Sequence, residues 1–145
     1  LTFFASAPIL GLAATHRARA AEPMVFQRDG LAIGGTDPVA YVTDGAPVPG
    51  VAANRFDWNG ATWHFASADN LAAFEAEPER FAPAFGGYCA FAASRGYLAP
   101  TIPEAWSIYE GRLYLNATLR ARELWLNELP DVIAAGEANW PAILG

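Results

Sequence analysis

The sequence predicts a small single domain of the α+β class, in which antiparallel β-hairpins pack with several short helices. The chain has 145 residues, of which 53% are hydrophobic and 17% charged, and this balance suits one compact core. Three dipeptides of an acidic residue or asparagine followed by glycine lie between β-prone runs and predict hairpins. The segments between these hairpins carry helix-capping residues and apolar residues at helical spacing.

The hairpin turns are predicted at Asp29-Gly30, Asn59-Gly60 and Glu110-Gly111. Glu110 is the least favourable of the three turn residues, but both of its flanking runs are rich in strand formers. The predicted strands are Val25–Arg28 with Leu31–Ile33, Arg55–Trp58 with Ala61–Phe65, and Trp106–Tyr109 with Arg112–Leu115. We expect all of these strands to share one antiparallel sheet.

The first two predicted helices begin at capping residues. Asp37 and Pro38 form an N-cap and first helical residue for a short helix that ends before Asp44-Gly45. Ser67 caps a helix over residues 68–77, which Pro78 interrupts.

Three further helices are predicted over residues 88–94, 117–128 and 131–140. Gly86-Gly87 opens the first of them, and Asn116 is the predicted cap of the second. The expected buried stripe of that second helix is Leu119, Trp125, Leu126 and Leu129. The segments 43–54 and 97–105 are predicted to be loops.

The amino-terminal segment has the pattern of a secretory signal. Residues 2–14 are almost wholly apolar and lead into Ala18-Arg19-Ala20, where small residues occupy the positions that signal peptidase requires. We expect residues 1–20 to be a signal peptide that is truncated at its start and cleaved after Ala20. Residues 21–145 are then a periplasmic domain with a C-terminal helical extension. A core helix is the alternative, and Pro8 and Gly11 disfavour it.

Charge and hydropathy exclude two classes of partner. Fifteen acidic residues against nine arginines give a net charge of −6, which repels nucleic acid. The sequence has no apolar run of the roughly 20 residues that a membrane-spanning helix needs, so no span is expected in the mature chain.

The order of motifs between residues 34 and 92 resembles the YHS domain. The resemblance is carried by Asp37-Pro38-Val39, by residues 58–67 (WNGATWHFAS), and by Phe74, Pro78 and Phe81. The continuation from Gly86 to Phe91 and the Trp106 hairpin resemble the exported bacterial branch of this family. This resemblance implies an association with heavy-metal handling and no assigned activity.

The sequence departs from the metal-binding pattern of the family at three positions. Metal-binding members carry cysteines after Asp-Pro-Val and within a Phe-Cys-Ser-x-x-Cys segment, whereas this chain has Ala40, Ala66 and Asn70 there. Thiolates are the ligands that hold copper(I) and zinc, so the family's usual site is not predicted here.

Cys89 is the candidate metal ligand, and His64 is its possible partner. Cys89 is the single cysteine and lies near a predicted helix start, where backbone N–H groups favour the thiolate. The family association and this one thiol together lead us to expect a non-catalytic module that binds a soft metal, copper above all. Alternatively, Cys89 only packs between neighbouring elements, and His64 lies on the face of its strand opposite Trp63 and Phe65.

Two other functions stay open from the sequence. The first is an interaction or small-molecule-binding domain without metal, in which the tryptophans and Tyr41, Tyr88 and Tyr97 line an apolar pocket. The second is a thiol enzyme, in which His64 activates Cys89 and Asp37 or Asp57 orients the histidine. This last function lacks a supporting local motif, so a binding module is preferred to an enzyme.

Overall fold

The computed structural model of the chain describes residues 2–9, 11 and 20–145, and this part forms the predicted α+β domain. Its strands are β1 (Gln27–Arg28), β2 (Leu31–Ala32), β3 (Val51–Trp58), β4 (Ala61–Phe65), β5 (Trp106–Tyr109) and β6 (Arg112–Leu115). Its α-helices are α1 (Ala40–Thr43), α2 (Ala68–Ala76), α3 (Pro78–Phe81), α4 (Ala90–Ser94), α5 (Leu119–Asn127) and α6 (Asp131–Asn139). Short 3-10 turns occupy Ile33–Gly35, Ala84–Gly87 and Ala142–Leu144.

The three predicted hairpins are confirmed, but the expectation of one shared sheet is wrong. Among the described residues, the strands form three separate two-stranded antiparallel sheets. The physical reason is length, since β1 and β2 have two residues each and the chain then enters a 3-10 turn. β2 lies close to β4 without forming a continuous ladder with it. β3 also begins at Val51, inside a segment predicted to be a loop.

α2 begins as the sequence predicts, but α1 begins at Ala40, two residues after the predicted first helical residue Pro38. The Asp37 side chain accepts hydrogen bonds from the backbone N–H groups of Val39 and Ala40, just before α1. Ser67 caps α2 by accepting a hydrogen bond from the backbone N–H of Asn70 at 3.1 Å. α3 starts at Pro78, as a new helix rather than a continuation.

Two further predicted helix starts are also wrong by two residues. α4 begins at Ala90 because the backbone is extended at Tyr88, which follows the 3-10 turn, and Cys89 is the non-helical N-cap. α5 is capped by Thr118, whose Oγ1 accepts a hydrogen bond from the backbone N–H of Ala121, and not by Asn116.

The expected buried stripe of α5 is also incorrect in part. Trp125 is fully buried, but Leu119 is 61% exposed and Leu126 is 38% exposed. Because the helix starts later and is short, its single deeply buried anchor is Trp125, whose ring packs against Tyr114 at 4.8 Å between centroids.

The core consists of two apolar clusters. The larger one packs the aromatic side chains of β4, α2 and α3 around Trp63, Phe65 and Phe74. The smaller one packs α4 against α5 and α6 around Trp125 and Val132. Phe85 belongs to the second cluster and lies where the two clusters meet, beside Trp140, which packs against both.

The predicted signal segment falls partly on residues 1, 10 and 12–19, which lie outside the described residues. Residues 2–9 are exposed and adopt neither helix nor strand. In the described part of the chain, no helix has both the length and the apolar character needed to cross a bilayer.

Candidate functional site

Asp37 contacts Ala40, Ala66 and Asn70, the three positions where the resemblance implies cysteines. Its side chain is completely buried. One carboxylate oxygen accepts hydrogen bonds from the backbone N–H groups of Val39 and Ala40, at 2.8 and 3.2 Å. The other accepts from the backbone N–H of Ala66 and from the side-chain amide of Asn70, both at 2.8 Å. A buried carboxylate with four donors joins α1, the end of β4 and α2.

Cys89 is the N-cap residue of α4 and is only 1% exposed. Its Sγ accepts a hydrogen bond from the backbone N–H of Ala92 and donates one to the side-chain oxygen of Asn116, each at 3.4 Å. The thiol is therefore used inside the fold as both donor and acceptor. This placement agrees with the alternative in which Cys89 packs between neighbouring elements.

Asn116, the predicted helix cap, has a different role. Its side-chain oxygen also accepts a hydrogen bond from the backbone N–H of Phe91 at 2.9 Å, which fixes the orientation of the amide. The residue is fully buried, and its amide nitrogen has no hydrogen-bond partner among the described residues. Asn116 therefore links the end of β6 to the start of α4.

His64 lies on β4, where buried and half-buried residues alternate, and its side chain is on the half-buried face. It pairs across the hairpin with Arg55 and lies beside Gly35 and Gly50. These neighbours differ from those of Cys89, which contacts Asn116 and Ala92.

The two carboxylates considered for a thiol enzyme are engaged elsewhere. Asp37 holds the network described above, and Asp57 accepts a hydrogen bond from the Thr62 hydroxyl at 2.7 Å on the exposed side of the β3–β4 hairpin. Neither arrangement supports a triad with Cys89.

The tyrosines considered for a ligand pocket lie in different environments. Tyr41 is buried and donates a hydrogen bond to the backbone oxygen of Pro103 at 2.8 Å. Burial, assisted by the nearby charge of Glu104, raises the pKa of Tyr41 above its ordinary value. Tyr88 borders a cleft with Phe26 and Leu98, and burial raises the pKa of its phenol as well. Tyr97 is exposed.

An aromatic cavity of about 240 Å³ lies between the β3–β4 hairpin and the C-terminal end of the chain. We call it the aromatic cavity and define it by two pairs of aromatic rings and three exposed side chains. These residues are Trp58, Trp63, Phe85 and Trp140, together with Met24, Glu79 and Arg112. Trp58 and Trp63 lie 6.0 Å apart between ring centroids, and Phe85 and Trp140 lie 6.1 Å apart.

The wall of the aromatic cavity is held in place by backbone geometry. Gly86 has a φ of +62°, and a Cβ added there would lie 1.9 Å from the backbone oxygen of Met24. The Phe85 ring lies over Gly136 of α6, where an added Cβ would come within 2.7 Å of the ring. Trp63 donates from its indole nitrogen to the backbone oxygen of Trp58 at 3.0 Å. The Phe85 and Trp63 rings are therefore held in position by the fold itself.

Sequence reasoning proposed that tryptophans line a pocket but did not find Met24, Phe85, Glu79 or Arg112. The signal in the sequence is the Gly86-Gly87 pair, which by pattern alone predicts a helix start. Adjacent glycines also mark places where another backbone approaches closely, and the Met24 segment does so here.

Comparison with known proteins adds one assignment. A family model described as YHS domain matches residues 39–85. The chain contains a YHS domain. No curated protein and no solved structure matches the chain.

The YHS domain covers α1 to α3 and the β3–β4 hairpin, so it includes Trp58, Trp63, Glu79 and Phe85 of the aromatic cavity. Met24 and the C-terminal Arg112 and Trp140 lie outside the matched residues. The aromatic cavity is thus built jointly by the YHS domain and by the segments that flank it.

The residues at the three positions where the resemblance implies cysteines do not fit a soft metal. Ala40 and Ala66 offer methyl groups, Asn70 offers an amide, and the Asp37 oxygens between them already accept four hydrogen bonds. Soft metals bind thiolates, whereas the Cys89 Sγ is already used inside the fold in hydrogen bonds with Asn116 and with the backbone of Ala92. Within the described residues, no group of three or more His, Cys, Asp or Glu side chains is arranged to hold a metal ion.

Proposed function

We propose that this protein is an exported, non-catalytic binding module that takes a small organic ligand into the aromatic cavity. The observation that carries the proposal is the joint construction of this cavity by the YHS domain and its flanking segments. Concave sites lined by aromatic side chains with a few polar groups are the usual form of small-molecule sites.

The cavity volume bounds the ligand. About 240 Å³ is below the range of drug-sized sites and suits a molecule of roughly ten non-hydrogen atoms. The preformed rings lower the ordering cost of binding, because Phe85 and Trp63 are already held by Gly136 and by the backbone of Trp58.

The tryptophans supply a direct test, because each indole N–H gives its own signal in a nitrogen–hydrogen correlation spectrum. We expect binding fragments of about ten non-hydrogen atoms to move the signals of Trp58 and Trp140 in the full chain. Trp106 and Trp125 lie outside the aromatic cavity and are internal controls whose signals should stay in place. Trp58→Phe and Trp140→Phe assign the signals.

The fragment experiment can contradict the proposal in two ways. A fragment set that moves none of the five tryptophan signals would leave the aromatic cavity without a binding role. Fragments that move Trp106 or Trp125 while leaving Trp58 and Trp140 unchanged would place the ligand elsewhere.

Copper binding through Cys89 and His64 stays a prediction, and the burial of the sulfur does not favour it. Titration of the full chain with copper(I) under reducing conditions tests it, with Cys89→Ser alongside. Tight stoichiometric binding that Cys89→Ser loses would restore a metal function. Absence of such binding by the parent chain would remove it.

The exported location is proposed from the apolar run and the Ala18-Arg19-Ala20 pattern. A protein recovered from the periplasmic fraction is expected to begin at Ala21 on N-terminal sequencing. A cytoplasmic product that keeps residues 2–20 would contradict this part of the proposal.

A further inference from the structure

Two opposite charges line the aromatic cavity and narrow the class of ligand, a step that rests on the function proposed above. Glu79 lies in the first turn of α3, and Arg112 begins β6. Both side chains are exposed, and both border the same cavity. A ligand in this cavity therefore meets one negative and one positive group as well as aromatic rings.

The aromatic walls favour a cationic group on the ligand. Cations are attracted to the faces of aromatic rings, most strongly to tryptophan, and a quaternary ammonium has no N–H that needs a hydrogen-bond acceptor. Trp58 and Trp140 are half-buried, so part of each ring remains open to a ligand. Glu79 adds a carboxylate that attracts the same charge.

Arg112 opposes a ligand that carries only a positive charge. Its guanidinium repels a plain cation, but it binds a carboxylate through two parallel N–H donors. A ligand with both charges therefore matches the two charged groups that line the cavity better than a cation or an anion alone.

We propose that the aromatic cavity binds a small zwitterion in which a quaternary ammonium group is joined to a carboxylate. The ammonium group packs against Trp58 and Trp140 near Glu79, and the carboxylate pairs with Arg112. Such a molecule also satisfies the size limit set by a cavity of about 240 Å³.

The experiment compares three probes by calorimetry on the full chain: trimethylglycine, 3,3-dimethylbutanoate and choline. The first two have the same shape and the same carboxylate, and differ in replacing the charged nitrogen by carbon. Trimethylglycine is expected to bind at least about tenfold more tightly than 3,3-dimethylbutanoate, because only it gains the interaction with the tryptophan faces.

Variants that remove one charge at an exposed position test the ammonium group and the carboxylate of the ligand one at a time, without disturbing the core. Glu79→Gln is expected to weaken the binding of both trimethylglycine and choline by severalfold. Arg112→Gln is expected to weaken the binding of trimethylglycine by about tenfold and to leave the binding of choline unchanged or tighter. Glu75→Gln, an exposed carboxylate on α2 outside the aromatic cavity, is the matched control and should bind like the parent chain.

The outcomes distinguish a failure of the zwitterionic ligand from a failure of the proposed small-molecule site. Equal binding of trimethylglycine and 3,3-dimethylbutanoate would overturn the zwitterion while leaving a small-molecule site in place. No binding of any of the three probes would also overturn it, and the tryptophan signals of the fragment experiment then judge the site itself. If Arg112→Gln weakened the binding of choline as strongly as that of trimethylglycine, the proposed pairing of Arg112 with the ligand carboxylate would be overturned.

Discussion

Asp37 is the residue whose chemistry departs furthest from its sequence pattern. As a capping residue it needed only one or two hydrogen bonds, yet its carboxylate accepts four and is completely buried. Ala66 and Asn70 occupy positions where the resemblance implies cysteines, and both donate to Asp37. The interior of the YHS domain is therefore held at this point by a carboxylate network.

Asp37→Asn is expected to destabilise the fold by about 3 kcal/mol, because an amide nitrogen would face N–H donors that now point at a carboxylate oxygen. Urea unfolding of the full chain measures the change. Asp57→Asn is the control, since that exposed carboxylate accepts from a hydroxyl, and it should cost less than about 1 kcal/mol. Equal losses for the two variants would contradict the role given to Asp37.

Cys89 is expected to react with a thiol reagent only when the chain opens. Its sulfur is 1% exposed and has hydrogen bonds to Asn116 and to the backbone of Ala92. The rate of labelling should therefore rise with urea in parallel with unfolding. Complete labelling within seconds in native buffer would contradict the burial, and denatured protein provides the rate of the accessible thiol.

At the scale of elements, local residue chemistry predicts where turns form better than it predicts which hairpins pair within one sheet. Asp29-Gly30, Asn59-Gly60 and Glu110-Gly111 all have positive φ angles, as a two-residue hairpin turn requires, and each hairpin forms where expected. Nothing local decides which hairpins share a ladder, because that depends on how the intervening helices pack. The three hairpins consequently remain separate sheets.

The cap of α5 shows the same limit within one helix. Asn116 and Thr118 are both good capping residues two positions apart, and the sequence does not decide between them. Long-range contacts decide, since Asn116 is drawn into the interior by Phe91 and Cys89, which leaves Thr118 to cap the helix.

Thr118→Ala is accordingly expected to lower the free energy of unfolding by about 1 kcal/mol, through loss of the hydrogen bond from the Ala121 N–H. Thr118→Ser keeps a hydroxyl at the same place and should cost much less. Chemical denaturation of both variants measures the difference. A Thr118→Ala variant as stable as Thr118→Ser would show that the hydroxyl does not cap α5.

At the scale of the whole molecule, the aromatic cavity could not be predicted because its walls come from distant parts of the chain. Met24, Trp58 and Trp140 meet only after the N-terminal and C-terminal segments pack on the YHS domain. Abundant tryptophan indicates a core or a pocket, and the sequence alone leaves that choice open.

Tyr41 provides a test of how the YHS domain is fastened to the rest of the chain. It lies in α1, donates to the backbone oxygen of Pro103, and packs against Trp106 at 5.4 Å between ring centroids. Burial raises the pKa of its phenol above the ordinary value of 10.0. Above about pH 10 the unfolded chain releases this proton while the folded chain keeps it, so stability is complete below that pH and falls as pH rises beyond it.

At neutral pH, Tyr41→Phe is therefore expected to lower the free energy of unfolding by about 1 kcal/mol, because it removes the hydrogen bond to Pro103. Between about pH 9 and pH 11, the variant should lose less additional stability than the parent chain. A residual decline remains, because burial also raises the pKa values of Tyr88 and Tyr114. Urea unfolding across this range measures both effects, and Tyr97→Phe, which alters an exposed ring, should follow the parent chain. If the free energy of unfolding of Tyr41→Phe declines as steeply with pH as that of the parent chain, the Tyr41 phenol does not control the alkaline destabilisation.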